Sequence, residues 1–365
     1  MMNNKQEFIN YLQTHGKDRS WRQFATDFNL TSEDAARKIY RRYVNSAEKL
    51  VLKSKWQVQT KNGVEWLESY RNVPTSQDVL TVTNNIVPLQ YPLYNIPTTL
   101  KNTGLYYLSD EHIGAEVSDA LYDNVYNASI FEQRIIKIYN QIITHAVTHG
   151  GFENLYIVNL GDSIDGYNGQ TVRGGHDLPQ NMSNKEIFNT YVSVHANLLN
   201  SLINSGVAQN IHYVAVADSN HGGDIEYMCH KSLEHLFSNS IVKFNIIEKF
   251  IDHIFIDNHC FCFTHGKDAK DRKRGLPLNL SADMEVFIKQ YIDINKLNGY
   301  NISLVKGDLH QSNSYRSKFF RYRNTASIFG SSKWTMINYG YTQPACDYDL
   351  IINGDLLEGR LNLDN

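Results

Sequence analysis

Five short apolar runs, each followed closely by side chains that bind divalent cations, constrain this 365-residue chain more than any other feature. They are Leu105–Leu108, Leu155–Val158, Ile211–Val216, Phe261–Phe263 and Ile302–Val305. Runs of this length and apolarity read as buried strands. Helical periodicity fills several of the gaps, over Ile130–Thr148 and Ile187–Ile203. Buried strands alternating with helices specify a layered α/β domain. In an open α/β sheet, ligands gather in the crevice beyond the strand ends. The residues just past each run are therefore the place to look for chemistry.

Ser109-Asp110-Glu111-His112 follows the first run, and Gly161-Asp162-Ser163-Ile164-Asp165-Gly166 the second. Residues two apart on an extended backbone face the same way, so Asp110 and His112 are expected to share one cation. Asp162 is placed to bridge two cations. The third run leads into Asp218-Ser219-Asn220-His221-Gly222-Gly223, where Asn220 offers a neutral oxygen ligand and His221 is free to meet a substrate. His265 follows the fourth run, and Asp308 and His310 follow the fifth. One Asp-x-His in isolation is a common surface turn. Five such sites in series, supplying oxygen and imidazole donors, suit Mn²⁺, Zn²⁺ or Fe²⁺.

This run of motifs resembles the calcineurin-like metallophosphoesterase superfamily, whose signature is Asp-x-His, Gly-Asp-x-x-Asp, Gly-Asn-His-Asp/Glu, a lone His and Gly-His-x-His. The resemblance covers about residues 105–312. It implies an α/β sandwich of two sheets flanked by helices. It further implies that Asp110, His112 and His310 hold one metal ion, that Asp162 bridges, and that Asn220, His265 and Asp308 hold a second, with His221 as the catalytic histidine. Two departures stand out. Ser219 and Gly222 replace the glycine and the acid that flank Asn-His, which leaves Asp224 as a substitute acid. Asp308 replaces a histidine, which hardens the site and favours Mn²⁺ over Zn²⁺, Fe²⁺ or Mg²⁺. A two-metal centre clamps a phosphoryl group and generates a metal-bridging hydroxide that attacks phosphorus in line. His221 would then protonate the leaving oxygen or stabilise phosphoryl charge. No nucleophilic Ser or Cys is required, and no Gly-x-x-x-x-Gly-Lys phosphate loop is present.

The formal net charge is -3, unevenly spread. Residues 1–60 hold eleven Lys/Arg and six Asp/Glu, a local +5, which leaves -8 on the remainder. Within that basic segment, helices are expected from Phe8, from Trp21 to Phe28 with Ser20 as cap, and from a Thr31/Asp34 capping box onward. This is helix-turn-helix grammar. Its last helix carries Arg37, Lys38, Arg41 and Arg42, with Tyr40 and Tyr43 interleaved, and reads either as a DNA-contacting helix or as a docking module with a wet basic face. The expected organisation is a helix-turn-helix over 1–46, a linker or small subdomain over 47–100 punctuated by Pro74, Pro88, Pro92 and Pro97, and a metallophosphoesterase domain over 101–365. The arrangement is similar to phosphoesterases of tailed bacteriophages that carry a helix-turn-helix ahead of the metal domain.

Two further basic stretches flank the motifs. Arg173 and His176 follow the second, and Lys267, Lys270, Arg272, Lys273 and Arg274 follow His265. They read as substrate contacts, on phosphate, or as a solvated loop. Cys229, Cys260, Cys262 and Cys346 lack a framework spacing and fit reduced, buried thiols of a cytoplasmic protein. Met1–Gly16 is polar and mixed in charge, unlike a signal peptide. No run approaches the roughly 18 apolar residues of a membrane span. The sequence thus points to a phosphodiesterase acting on DNA, that is, a nuclease. The alternatives are a phosphoesterase of nucleotides, cyclic nucleotides or phosphoproteins, and an inactive DNA-binding or interaction protein.

Overall fold

The computed structural model describes residues 8, 11, 20–46, 50–60, 63–72, 101–119, 124–217, 219–268 and 275–364. The chain forms two compact units, Met1–Thr81 and Val82–Asn365.

In the first unit, α1 (Trp21–Asp27) starts at Ser20, whose Oγ accepts from the Gln23 amide at 3.3 Å. Asn29, at φ 46°, turns the chain. The next helix, α2 (Glu33–Ser46), is capped by Ser32, whose Oγ accepts from the Ala35 amide at 3.1 Å. The cap is therefore one residue beyond the Thr31 expected from the capping-box pattern. Phe8, Phe24 and Ala36 are buried, with Tyr11, Trp21, Phe28, Leu30, Ile39 and Tyr40 packed around them. Tyr40 stacks edge-on against Trp21 with centroids 5.2 Å apart, so it serves the small core. The chain then forms an antiparallel hairpin of β1 (Leu50–Thr60) and β2 (Gly63–Asn72). The proline-punctuated stretch from 73 to 100 lies outside the described residues.

The second unit runs β3 (Thr103–Leu108), a short β4–β5 hairpin (Val117–Asp119, Asn124–Tyr126), α3 (Ala128–His149), β6 (Phe152–Asn159), α4 (Asn184–Ser205), β7 (Ala208–Val216), α5 (Gly223–Leu236) and β8 (Val242–Ile247). It continues through β9 (Asp252–Ile256), β10 (His259–Thr264), α6 (Ala282–Ile294), β11 (Asn301–Lys306), β12 (Asn313–Arg316), β13 (Arg321–Asn324), α7 (Lys333–Tyr339), β14 (Ala345–Ile352) and β15 (Asp355–Asn362). These make a six-stranded sheet in the order β15-β14-β3-β6-β7-β8 and a five-stranded sheet in the order β12-β13-β11-β10-β9. Strands β3, β6, β7 and β8 are parallel, as are β10, β11 and β13. The two-sheet sandwich flanked by helices, implied by the calcineurin-like resemblance, is the observed architecture.

Period-two alternation explains how the sheets stack. Leu105, Tyr107, Val158, Val214 and Val216 from one sheet meet Ile256, Phe261, Phe263 and Val305 from the other. The alternate residues face outward. On the five-stranded sheet, Cys260, Cys262 and Leu304 pack beneath Ile288 and Ile292 of α6. All four cysteines are buried free thiols, as their spacing suggested. The long helices start one turn before their apolar periodicity does, because capping residues supply the first turn. Asn127 caps α3, and a Ser183/Glu186 capping box starts α4. Among the described residues, no helix is long and apolar enough to cross a membrane.

Candidate metal centre

The five motifs lie at the carboxyl ends of β3, β6, β7, β10 and β11, and the two-sheet stacking brings these ends together. The backbone there departs from the extended form assumed from sequence. Asp110, His112, Asp162, Asp308 and His310 have φ of 51°, 46°, 50°, 75° and 56°. Left-handed backbone costs a non-glycine residue roughly 1–2 kcal/mol, and Asp and His are among the few that take it up. Asp110 and His112 therefore converge through a turn, not through a pleat. Neighbouring loops hold that turn: the His112 amide donates to Asp162 O at 2.9 Å, Ile113 to Ser163 O at 2.9 Å, and Phe329 to Asp110 O at 3.1 Å.

Three groups of donors result, each with its ligand atoms within 4.8 Å of one another: Asp110, His112 and His310; Asp110, Asp162 and His265; and His112, Asp165 and His221. Asn220 Oδ1 joins the second group, 3.1 Å from His265 Nε2. The ring orientations are informative. His265 Nδ1 lies 2.8 Å from Leu160 O, and His310 Nδ1 lies 2.7 Å from Gly330 O. A carbonyl only accepts, so both Nδ1 atoms carry the proton. His112 Nδ1 likewise faces the Asp165 carboxylate at 3.0 Å. All three Nε2 atoms are left facing the carboxylates and each other. This second partner on Nδ1 is the arrangement that fixes a metal-binding imidazole. The donor set thus fits divalent cations.

The electrostatics agree. Burial alone would raise Asp162, but the imidazoles of His265, His221 and His112 hold it well below the usual carboxylate range. Burial alone would lower His265, yet the Asp162 carboxylate, with Asp110 and Asp308, pushes it up to about 10. His310 shifts the other way, lowered by burial and by the neighbouring His112. The pocket is a concentration of negative charge that calls for positive charge at its centre.

The remaining residues singled out in the sequence are placed unevenly. His221 stands beside the donors, its Nε2 3.9 Å from Asp162 Oδ2 and its side chain 18% exposed. Its Nδ1 donates to Asp165 O at 2.7 Å, and its backbone amide donates to Asp162 Oδ1 at 3.0 Å. Asp308 lies in none of the three donor groups. Its amide donates to Asp110 Oδ1 at 3.2 Å, while its Oδ2 is directed at Gly275, where a Cβ would come within 3.1 Å. Arg173 is drawn to the site by its backbone, which donates to Asn220 O at 3.0 Å, but its guanidinium pairs with Asp268 at 3.1 Å. His176 is exposed and closes a turn with Thr171. Lys267 is half-buried beside Lys306. Lys270, Arg272, Lys273 and Arg274 lie outside the described residues. Arg37 is paired with Glu33 at 3.8 Å and Asp34 at 3.6 Å on its own helix, and Lys38 is exposed. Only the backbone is described at Arg41 and Arg42.

Several contributors were not assigned from sequence. Asp165, visible as the second acid of its motif, orients both His112 and His221. Asp224, the substitute acid for position 222, is exposed, and the buried acid against Gly222 is Glu226. Burial, with the nearby Asp162 charge, pushes Glu226 up to about 7. Its signal was periodicity, since Glu226 lies on the stripe shared by buried Cys229, His230 and Leu233. Lys306 is fully buried, and burial lowers it to about 8 despite Asp308 and Asp110.

No protein-family model matches the chain, and no curated protein matches it in sequence. Among solved structures it is similar to an archaeal phosphodiesterase, at 13% identity over 71% of this chain and 99% of that one, with a TM-score of 0.33. It is also similar to a predicted phosphoesterase from Streptococcus pneumoniae, at 11% identity over 73% and 93%, with a TM-score of 0.31. A third is 5'-nucleotidase from Candida albicans, at 9% identity over 75% and 53%, with a TM-score of 0.37. Sandwich and strand-end donors together are those expected of a calcineurin-like metallophosphoesterase.

Proposed function

We propose that this protein is a metal-dependent phosphoesterase, and more narrowly a two-metal, Mn²⁺-favouring phosphodiesterase that acts on DNA. One observation carries the enzymatic reading. The Nε2 atoms of His112, His310 and His265 converge with Asp110, Asp162 and Asn220 while each Nδ1 is committed elsewhere. Asp110, His112 and His310 would hold one cation, and Asn220 and His265 the other, with Asp162 between. When bound, such cations polarise a phosphoryl oxygen and lower the pKa of water.

The chain's own groups supply orientation and proton handling. Asp162 receives the His221 amide on Oδ1, which ties the third motif to the second. The hydrogen bond from His221 Nδ1 to Asp165 O aims Nε2 at Asp162. Nε2 is then the atom that donates a proton to a leaving oxygen or a hydrogen bond to a phosphoryl oxygen. Partial exposure of this ring, beside almost fully buried donors, supports a role for it toward the substrate.

What supports DNA as substrate is charge: the +5 of residues 1–60 and the basic run 267–274. The pairing of Arg37 with its own helix's acids favours a second reading, a small phosphoester such as a nucleotide. Turnover of an aryl phosphodiester and of labelled DNA, side by side with Mn²⁺ and with chelator, separates them. Metal-dependent DNA cleavage that His221→Ala removes supports the nuclease. Aryl ester hydrolysis without DNA cleavage moves the substrate to a small phosphoester, and no metal-dependent turnover of either rejects the enzyme.

A further inference from the structure

We propose that Glu226 is a positioning residue for the metal centre, replacing with one carboxylate the flanking glycine and acid that the Asn-His motif lacks. The inference rests on the metal-centre reading above. Glu226 lies in the first turn of α5 and is fully buried. Its Oε1 accepts from the Ser163 amide at 2.7 Å, and its Oε2 accepts from Ser219 Oγ at 2.5 Å. Ser163 follows Asp162, and Ser219 precedes Asn220 and His221. One side chain therefore clamps the loop of the bridging carboxylate to the loop of a metal ligand and the catalytic histidine.

The two sequence departures are one feature in space. Ser219 supplies the hydroxyl that Glu226 binds, and its Oγ also accepts from the Gly222 amide at 3.3 Å. Gly222 supplies the room. A Cβ there would lie 2.7 Å from Glu226 Cβ and 3.2 Å from its Oε2, so a larger residue at 222 is incompatible with this acid. The clamp also reaches the first motif. Ser163 Oγ donates to Asn159 Oδ1 at 2.8 Å, and the Gly161 amide donates to the same oxygen at 3.0 Å. Asn159 Nδ2 in turn donates to Glu111 Oε2 at 3.1 Å, and Glu111 lies between Asp110 and His112. His195 Nε2 faces the other Glu111 oxygen at 3.1 Å. Three metal-bearing loops are thus joined by one buried polar chain. A site of this kind works only if its ligands are held to about 0.5 Å, which side chains around the ligands must enforce.

Glu226→Met and Glu226→Gln test the role through two readouts, Mn²⁺ affinity by calorimetry and kcat and KM on an aryl phosphodiester. Methionine fills the volume but leaves the Ser163 amide and Ser219 hydroxyl without an acceptor. It should weaken Mn²⁺ binding and lower kcat by about 10–100-fold each, the usual cost of losing an outer partner, with KM within about twofold. Glutamine keeps an oxygen for the Ser163 amide, and the Ser219 hydroxyl can turn to accept its N–H, so both quantities should stay within about threefold. Wild-type behaviour of Glu226→Met would overturn the proposal, as would a Glu226→Gln variant equally impaired, since charge and not positioning would then be at stake. If Glu226→Met does not fold, Ser219→Ala decides. It should weaken Mn²⁺ binding by about 3–10-fold, and no change would reject the clamp. Binding is read without turnover. A wild type that binds Mn²⁺ but hydrolyses nothing would reject the phosphoesterase, while the variants' affinities would still decide the clamp. A wild type that binds no metal would reject both.

Discussion

The Nε2 atoms of His112 and His310 face each other at 3.1 Å, with each ring's Nδ1 proton already donated, to Asp165 and to Gly330 O. Two imidazole lone pairs at that separation repel unless a cation or a shared proton lies between them. His112→Ala or His310→Ala should therefore remove the metal ion shared with Asp110, seen as a loss of bound Mn²⁺ by elemental analysis. Asp165→Asn is the finer test. It keeps the size of the side chain but weakens the acceptor that makes His112 a better ligand. Mn²⁺ affinity should fall about 10–100-fold while the fold persists. Unchanged affinity would mean that Asp165 does not orient His112.

Asp162 ties the second motif to the third and the fourth. It receives the His221 amide on one oxygen and lies 3.2 Å from His265 Nε2 on the other. Asp162→Ala should abolish metal-dependent turnover of an aryl phosphodiester, and chemical denaturation should show a folded protein. Full activity in this variant would contradict the assignment of the whole centre.

Much of this was legible because strand ends repeat one pattern. Leu105–Leu108 and Ile302–Val305 are apolar on both faces, so their burial and the polar turn beyond them could be read residue by residue. The path of the backbone through those turns could not. Alternation predicts side chains on an extended strand, and Asp110 and His112 sit at positive φ, which neighbouring loops impose. Partners from distant segments were equally hidden. Nothing near Asn220 announces that Glu226 replaces the missing acid, because the acid comes from the next helix. The pairing of Arg173 with Asp268, 95 residues away, was hidden for the same reason. Asp308 matched the motif in order, and it lies in none of the three donor groups, its Oδ2 beside Gly275.

Basic residues of α2 separate the two substrate readings. Arg37 is engaged with Glu33 and Asp34, and the charges to test are those of Lys38, Arg41 and Arg42. Replacing these three with Glu should weaken DNA binding and flatten its dependence on salt, by up to about one unit of slope for each phosphate no longer neutralised. Hydrolysis of a small aryl phosphodiester should be unchanged. Equal loss of both would indicate that the helix is structural, and no change in DNA binding would remove α2 from the interface.

Acid lability should come from two histidines outside the donor groups. Burial lowers His230 to about 3, with the nearby His195 adding to the shift, and burial lowers His212 to about 4. Both rings stay neutral in the folded protein below pH 6.5, where an unfolded histidine takes up a proton. The unfolded state then binds more protons, so stability falls as pH drops from about 6.5 toward these values. For the fully buried His230 the slope is roughly 1.4 kcal/mol per pH unit. Urea midpoints at pH 7 and pH 5 should differ accordingly, and His230→Gln should reduce the difference. Equal pH dependence in that variant would assign the effect elsewhere.

The two sheets are locked by a buried ion cluster, and its removal should cost stability more than any single surface change. Asp349 of β14 accepts from Arg321 Nη2 at 2.5 Å and from Tyr107 Oη at 2.7 Å, and it also pairs with Arg323. Arg321 and Arg323 belong to β13 of the other sheet, and all four side chains are buried. Burying two guanidinium groups is unfavourable unless a carboxylate answers them. Asp349→Ala leaves Arg321 to Glu358 and Arg323 to Asp347 and should cost up to about 3–5 kcal/mol, the range for breaking a buried pair. Asp349→Asn retains an acceptor for one donor and should cost less. Chemical denaturation of the three proteins gives the order directly. If Asp349→Ala unfolds at the wild-type midpoint, Asp347 and Glu358 are enough to answer the two guanidinium groups and Asp349 is not the lock.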